Sequence, residues 1–528
     1  ISVRLVGSEM CIRDRGVILF KSFIHLIYVF WQKYFPDSFS RSSDRDQTFN
    51  RKRKLPVKTK LLFALGAGTE GMVTAAGITT VLFYNQVLGV SPGLCGLAMF
   101  ISIISDAITD PLVGTLSDKI NTLVGRRHPF MFLSALPLGI GLYFLYAPLD
   151  GLSEIGYFIW LVVFLIITKF GLTLYIVPHD GLGAELTDDY DERSSLFGYN
   201  EVGTMLYPSI LALIVYVVIF PSGGEFENGM LNGARYIILA ITASLVAASC
   251  ALICSIGTLD QIPYLHKVDV SKKFDARNFL TELGQLLTNQ SYLAICFWMF
   301  FMYVGLGIIG IVGTYAYIYV YELATEEMLW AGLAKLPGIF ICMPLLAFVT
   351  KKLKLGKKAI MGIGTVIPAI LVASPHLLKY FGYFPDNDSS ILVASLFIPV
   401  LLAFCVFPLA MIVMNSALVD VADEHELKTG YRSEGVIFSV KSFAQKATQS
   451  VGSLVAGFGL EIINFPDKAE MGNLPQEALD GLLIMNGHLY LICWVSAAAV
   501  VYFFFSITRE SQGITLTKLG EKRAQRQV

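Results

Sequence analysis

The sequence predicts an all-α integral membrane protein whose twelve transmembrane helices form two six-helix halves. Three observations carry this. The 528 residues are 55% hydrophobic and only 15% charged, with a mean hydropathy of +0.62. Apolar residues come in long blocks between short polar loops, as a bilayer-spanning chain requires, and no stretch alternates in the manner of a strand. Six such blocks, a polar connection and six more blocks suggest halves that face each other across a central path.

Taken in order, the spans cover 60–89, 92–117, 129–148, 157–181, 195–220 and 233–257, then 290–321, 326–350, 358–380, 391–421, 434–464 and 486–508. Several exceed the roughly 20 residues needed to cross a bilayer, leaving room for tilt or for extension beyond it. The chain therefore divides into a six-helix half at 51–257, a connection at 258–289, a second half at 290–508 and a tail at 509–528. Lysine and arginine concentrate in alternate loops and the tail, whereas the opposite loops hold only Lys379 and Lys468, with Arg235 at a border. That asymmetry predicts that both termini and the 258–289 connection are cytoplasmic. Arg51-Lys52-Arg53-Lys54, with Lys58 and Lys60, flanks the first span on its inner side.

Residues 1–16 read as a translated sequencing-adapter fragment, and Val17 to Phe35 is apolar but interrupted by Lys21 and His25 without a cleavage pattern. Residues 1–50 are therefore set aside as a non-native or disordered extension. The formal net charge of -1 implies no nucleic-acid partner. The eight cysteines are scattered with no metal-site spacing and read as small core residues.

Function is concentrated in the second span. Within the apolar run Leu94 to Leu116 stand Asp106, Thr109 and Asp110. A charge at bilayer depth costs several kcal/mol, so such residues face a polar path. Asp106 and Asp110 are one helical turn apart and share a face with the Thr109 hydroxyl beside them, an oxygen set suited to a small hard cation or a proton. A second embedded charge, Lys446, lies about twelve residues into the eleventh span, roughly 18 Å along the helix and near the midplane. Snorkelling from there is hard, so a carboxylate partner is expected, with Asp106 or Asp110 the candidates. Lys441 is shallower and free to snorkel.

The segment Gly114-Thr115-Leu116-Ser117-Asp118-Lys119, followed by Gly125-Arg126-Arg127, resembles the loop between the second and third helices of the major facilitator superfamily. The resemblance gives Gly114 to close helix approach, Asp118 to a helix-end ion pair, and Arg126 and Arg127 to the inner surface as a gating loop. Asp106-Ala107-Ile108-Thr109-Asp110-Pro111 is similar to the cation motif of the glycoside-pentoside-hexuronide:cation symporters, which implies sodium, lithium or proton coordination by the two aspartates. Val177 to Thr187, then Asp189-Tyr190-Asp191-Glu192-Arg193, resembles that family's fourth-helix exit, and Asp420 through Glu434 its approach to the lysine at 446. The resemblance covers most of 58–508 and implies the major facilitator fold.

The chain departs from that family on the substrate side. Gly71 stands where the melibiose permease, a well-known member, has a sugar-binding aspartate, with Glu70 one position away. Asp180 replaces a tryptophan, Glu201 an arginine, and Ile176 a second aspartate. These changes argue against a galactoside. Glu70, Tyr175, Asp180, Glu201 and Trp298 are the candidate cavity residues, although aromatics in membrane helices are more often packed or lipid-facing.

No nucleophile elbow, HExxH or phosphate-binding glycine loop accompanies His128, His179 or His425, so an enzyme is not expected. The expectation is a monomeric symporter of a small polar solute, a glycoside or other carbohydrate, driven by sodium or protons and needing no cofactor. The alternatives are a lipid or lysolipid transporter of the same branch and a non-transporting sensor.

Overall fold

The computed structural model describes residues 54–119, 122, 124–187, 189–223, 226–265, 284–429 and 434–525. The extension at 1–50, Arg51-Lys52-Arg53 and residues 266–283 of the connection lie outside the described residues.

The first half comprises α1 (Val57–Val87), α2 (Pro92–Lys119), α3 (His128–Tyr146), α4 (Glu154–Glu185), α5 (Tyr190–Leu213, continuing through a wider turn at Ile214–Ile219) and α6 (Tyr236–Gly257). The second comprises α7 (Gln290–Tyr315), α8 (Glu327–Lys352), α9 (Lys357–Tyr380), α10 (Leu392–Thr429), α11 (Glu434–Ile462) and α12 (Gln476–Phe504). Local chemistry sets several starts. The side chains of Ser153, Asp189 and Asn289 accept the backbone N–H of Gly156, Glu192 and Tyr292, capping α4, α5 and α7.

The same pairings recur six helices on. α1 packs on α5 and α6, α3 on α4 and α6, and α2 on α4; likewise α7 packs on α11 and α12, α9 on α10 and α12, and α8 on α10. Large apolar side chains such as Leu136, Ile159, Phe340 and Ile398 remain exposed on the outside, as a lipid-facing surface demands.

Among the described residues, eleven helices are long and apolar enough to span a membrane, one fewer than the twelve expected. The twelfth expectation is α11, 29 residues long but carrying Lys441, Gln445, Lys446 and Gln449. Its polarity has a physical reason: α11 packs between α7 and α2, so part of its surface meets protein instead of lipid. The tail also holds a helix absent from the expectation, α13 (Arg509–Gln525), which rests on α10 through Gln512 to Asp423 (3.0 Å) and Lys522 to the Leu427 carbonyl (2.8 Å).

The halves meet unevenly. α2 and α11 run together extensively, whereas α5 touches α8 mainly near Trp330–Leu333. Gly96 and Gly457 make the first seam close, since a Cβ at Gly96 would sit 3.0 Å from the Gly457 Cα and the Ser453 carbonyl. At the end opposite the termini a polar clasp joins the halves. Asn85 donates to Asp467 at 2.8 Å and accepts from Tyr315 at 2.9 Å; Gln86 accepts from Tyr319 at 2.9 Å and from the Ala469 N–H at 2.8 Å.

Candidate functional site

The site grows from the middle of α2. Pro111 has no N–H to give the Ala107 carbonyl, which loosens the helix one residue past Asp110. Asp106 and Asp110 face α4, where Lys169 and Thr173 are also four apart, so the two helices form matched rungs. Lys169 Nζ stands 3.6 Å from Asp106 Oδ2, and Thr173 Oγ1 donates to Asp110 Oδ1 at 2.7 Å. From the other half, Lys446 on α11 donates to Asp110 Oδ2. Of the two candidate partners, Lys446 therefore takes Asp110.

Asp106 is 6% exposed, and its Oδ1 is buried without a hydrogen-bond partner. A buried carboxylate oxygen left unpaired is costly, which makes this atom the natural contact for an incoming cation. Thr109 Oγ1 donates to the Asp106 carbonyl at 3.4 Å, which leaves its oxygen lone pairs uncommitted. Thr173, on the neighbouring helix, brings a second hydroxyl beside the carboxylates.

Glu70 on α1 is solvent-accessible, and Asp180, Lys169, Lys446 and His179 all act on it electrostatically. Three carboxylates, at 70, 106 and 110, thus stand against two ammoniums, at 169 and 446. Asp180 is 61% exposed at the foot of α4, and its neighbour His179 is held by the Phe63 carbonyl at 3.0 Å and stacked on the Phe63 ring at 4.0 Å. Glu201 is exposed on α5. The two aromatic candidates are enclosed. Tyr175 is 1% exposed in a cluster with Phe63, Met131 and Leu138, while Trp298 is fully buried and donates from Nε1 to Thr365 Oγ1 at 3.0 Å. Neither presents an open ring face to a solute, because each is taken up in the packing of its own half.

The segment between α2 and α3 is organised by Glu185, to which the sequence alone assigns no role. This last residue of α4 accepts from Arg126 at 2.6 and 3.2 Å and from Arg127 at 3.0 Å, and Arg127 also donates to Ser117 at 2.6 Å. Gly181 leaves room for the Arg127 guanidinium, and Gly114 lies against Val177. Asp118 is in the last turn of α2. Nearby at the same end, the Lys60 ammonium (2.8 Å) and the Leu55 N–H hold the Glu192 carboxyl below its usual value.

Lys169 is absent from the sequence-based candidates, yet the rule that singles out Asp106 applies to it: it is the one lysine, arginine or carboxylate between Ile155 and Pro178. Thr173 carries no such signal, since a threonine in a membrane helix is ordinary.

A profile of the family described as "MFS/sugar transport protein" matches residues 62–509. The putative glycoside/cation symporter YagG of Escherichia coli (strain K12) is 25% identical over 441 residues, covering 82% of this chain and 88% of that protein. Sodium-dependent lysophosphatidylcholine symporter 1 of Xenopus tropicalis is 24% identical over 460 residues, covering 80% and 82%. Among solved structures, the inward-open xylose transporter XylE from E. coli superposes with a TM-score of 0.57 at 16% identity, covering 85% of this chain and 96% of that one, a likeness of fold.

Proposed function

Since the chain belongs to the MFS/sugar transport protein family, and is thereby a multi-pass transporter and not an enzyme, we propose that it is a cation-coupled symporter of a small polar solute, a carbohydrate or glycoside. The observation that carries this is the join at Asp110. A carboxylate on α2 of one half is held by Lys446 on α11 of the other, beside an Asp106 oxygen with no partner. Sodium or a proton arriving at Asp106 and Asp110 competes with Lys446 for the Asp110 carboxylate. Occupancy of the site thereby weakens one link across the seam and biases the rocking of the halves. The closed clasp at 85–86 and the accessible Glu70 and Asp180 support a state open toward the termini, and the loop charges support cytoplasmic termini, in our reading those of a protein of the bacterial inner membrane. The reading requires no cofactor and no second subunit. Its test is uptake into proteoliposomes across a carbohydrate panel, with and without a sodium or proton gradient; no gradient-stimulated uptake of any carbohydrate would overturn it.

One feature favours a second reading, a lipid or lysolipid as cargo. α5 and α8 separate beyond Trp330–Leu333, and Val202, Leu206 and Ile210 on α5 and Phe340 and Met343 on α8 are exposed there. Sodium-driven uptake of lysophosphatidylcholine in the same vesicles, with no carbohydrate competing, would decide for it.

A further inference from the structure

Resting on the cation-symport reading, a further role falls to Lys169. Its contact with Asp106 is not built as a structural ion pair. At 3.6 Å the contact is long for an ion pair, and the other carboxylate oxygen is buried and unpartnered. The chain shows elsewhere how it builds a structural pair: at Glu185 each carboxylate oxygen accepts a guanidinium hydrogen bond within 3.2 Å. A buried pair repays its desolvation only when its remaining lone pairs are satisfied, and the pair at Asp106 leaves them open. Lys169 also has somewhere else to go. Its side chain is 26% exposed, and Glu70 is accessible and within its electrostatic reach.

We infer that Lys169 is the resident counter-ion of Asp106: it neutralises that carboxylate while the coupling cation is absent, is displaced when the cation binds, and then turns to Glu70. Lys169 at Asp106, like Lys446 at Asp110, thereby sets how tightly the site holds its cation. It is a positioning residue acting through Asp106, and displacement toward Glu70 carries news of cation occupancy to a candidate cavity residue. A merely structural lysine would bridge α2 and α4, and its loss would weaken cation binding by distorting the rungs. A resident counter-ion does the opposite, since its removal takes away a competitor.

The test is direct binding to the full chain in nanodiscs without solute, by calorimetric titration with sodium chloride and lithium chloride and by proton uptake with a pH indicator. In Lys169→Gln the cation that the wild type binds should bind roughly tenfold tighter or more, since a unit charge within 4 Å has been removed. Lys169→Arg, which keeps the charge, should stay within about threefold of wild type. Should Lys169→Gln fail to fold, Lys169→Cys serves in its place. Its affinity is read before and after reaction with an aminoethyl thiosulfonate, which restores an ammonium and should return the weaker binding, with the treated wild type as control. Unchanged or weaker binding in the neutral variant, with the wild type binding its cation normally, overturns the inference and leaves the symport reading standing. A wild type that binds none of the three cations overturns both.

Discussion

Replacing Lys446 by alanine probes the coupling element itself. The ammonium meets Asp110, whose other oxygen keeps the Thr173 hydroxyl at 2.7 Å. Breaking a fully buried pair costs about 3–5 kcal/mol, and losing an exposed one about 0.2–1 kcal/mol. With Lys446 40% and Asp110 24% exposed, solvent screens much of the attraction, and about 1–2 kcal/mol is the reasonable figure. Two consequences of opposite sign follow. Asp110 loses a competitor, so cation binding should tighten by roughly 5- to 30-fold, the ratio those energies correspond to. The seam loses the link by which occupancy reaches α11, so the cation should no longer stimulate uptake. Asp106 keeps Lys169, which limits the damage to one of the two carboxylates. Calorimetric titration and vesicle uptake on the same preparation read both effects. Full cation-stimulated uptake by Lys446→Ala, with unchanged affinity, would refute the reasoning.

Asp106→Asn and Asp110→Asn should each abolish cation-dependent uptake while leaving insertion intact, because the amide keeps the shape and removes the charge; normal stimulation in both would remove the site assignment. Glu185→Ala removes the carboxylate shared by two guanidiniums, 15% and 10% exposed, and should destabilise the first half by about 3–5 kcal/mol; an unaltered melting temperature in nanodiscs would show that their other contacts suffice. The solute should be neutral or cationic in preference to melibiose or an anionic hexuronide, because Gly71, Asp180 and Glu201 change the chemical type of three positions that resemble sugar contacts of the glycoside:cation symporters, Asp180 and Glu201 add negative charge, and each contact left unmade costs about 1–3 kcal/mol. Sub-millimolar melibiose binding in a panel titration would contradict this.

What the sequence made legible follows from what leaves a local mark. Blocks of apolar residues mark the spans because lipid demands them, and embedded charges such as Asp106, Asp110 and Lys446 stand out because lipid forbids them. α11 escaped the apolarity criterion for the converse reason, since protein and not lipid surrounds much of it. Thr173 and the clasp at Asn85 and Gln86 were illegible because their roles exist only once a second helix or a distant loop is in place. The enclosed Tyr175 and Trp298 show the limit on aromatics: the same ring that offers a stacking surface also fills a core, and sequence alone does not choose. Lys169 was legible and missed, since it satisfies the criterion that singles out Asp106 two helices earlier.

The two seams account for the place of the proposed cation site. By the six-helix repeat, α2 and α11 correspond to α8 and α5, yet only the first pair stays closely packed along its length. Rocking about a shared axis needs one seam that remains in contact while the other opens, and Gly96 against Gly457 makes the α2–α11 contact close enough to serve as that pivot. A charge change at a pivot acts on both halves at once, whereas the same change on an open seam would act on one. Asp110 lies further along the same seam with a partner from each half, Thr173 and Lys446, while the clasp at 85–86 closes the end of the seam nearest Gly96. A link of only about 1–2 kcal/mol at Asp110 then suits a reversible coupling element. It is strong enough to shift the populations of two states about tenfold, and weak enough for a monovalent cation to break it on every cycle.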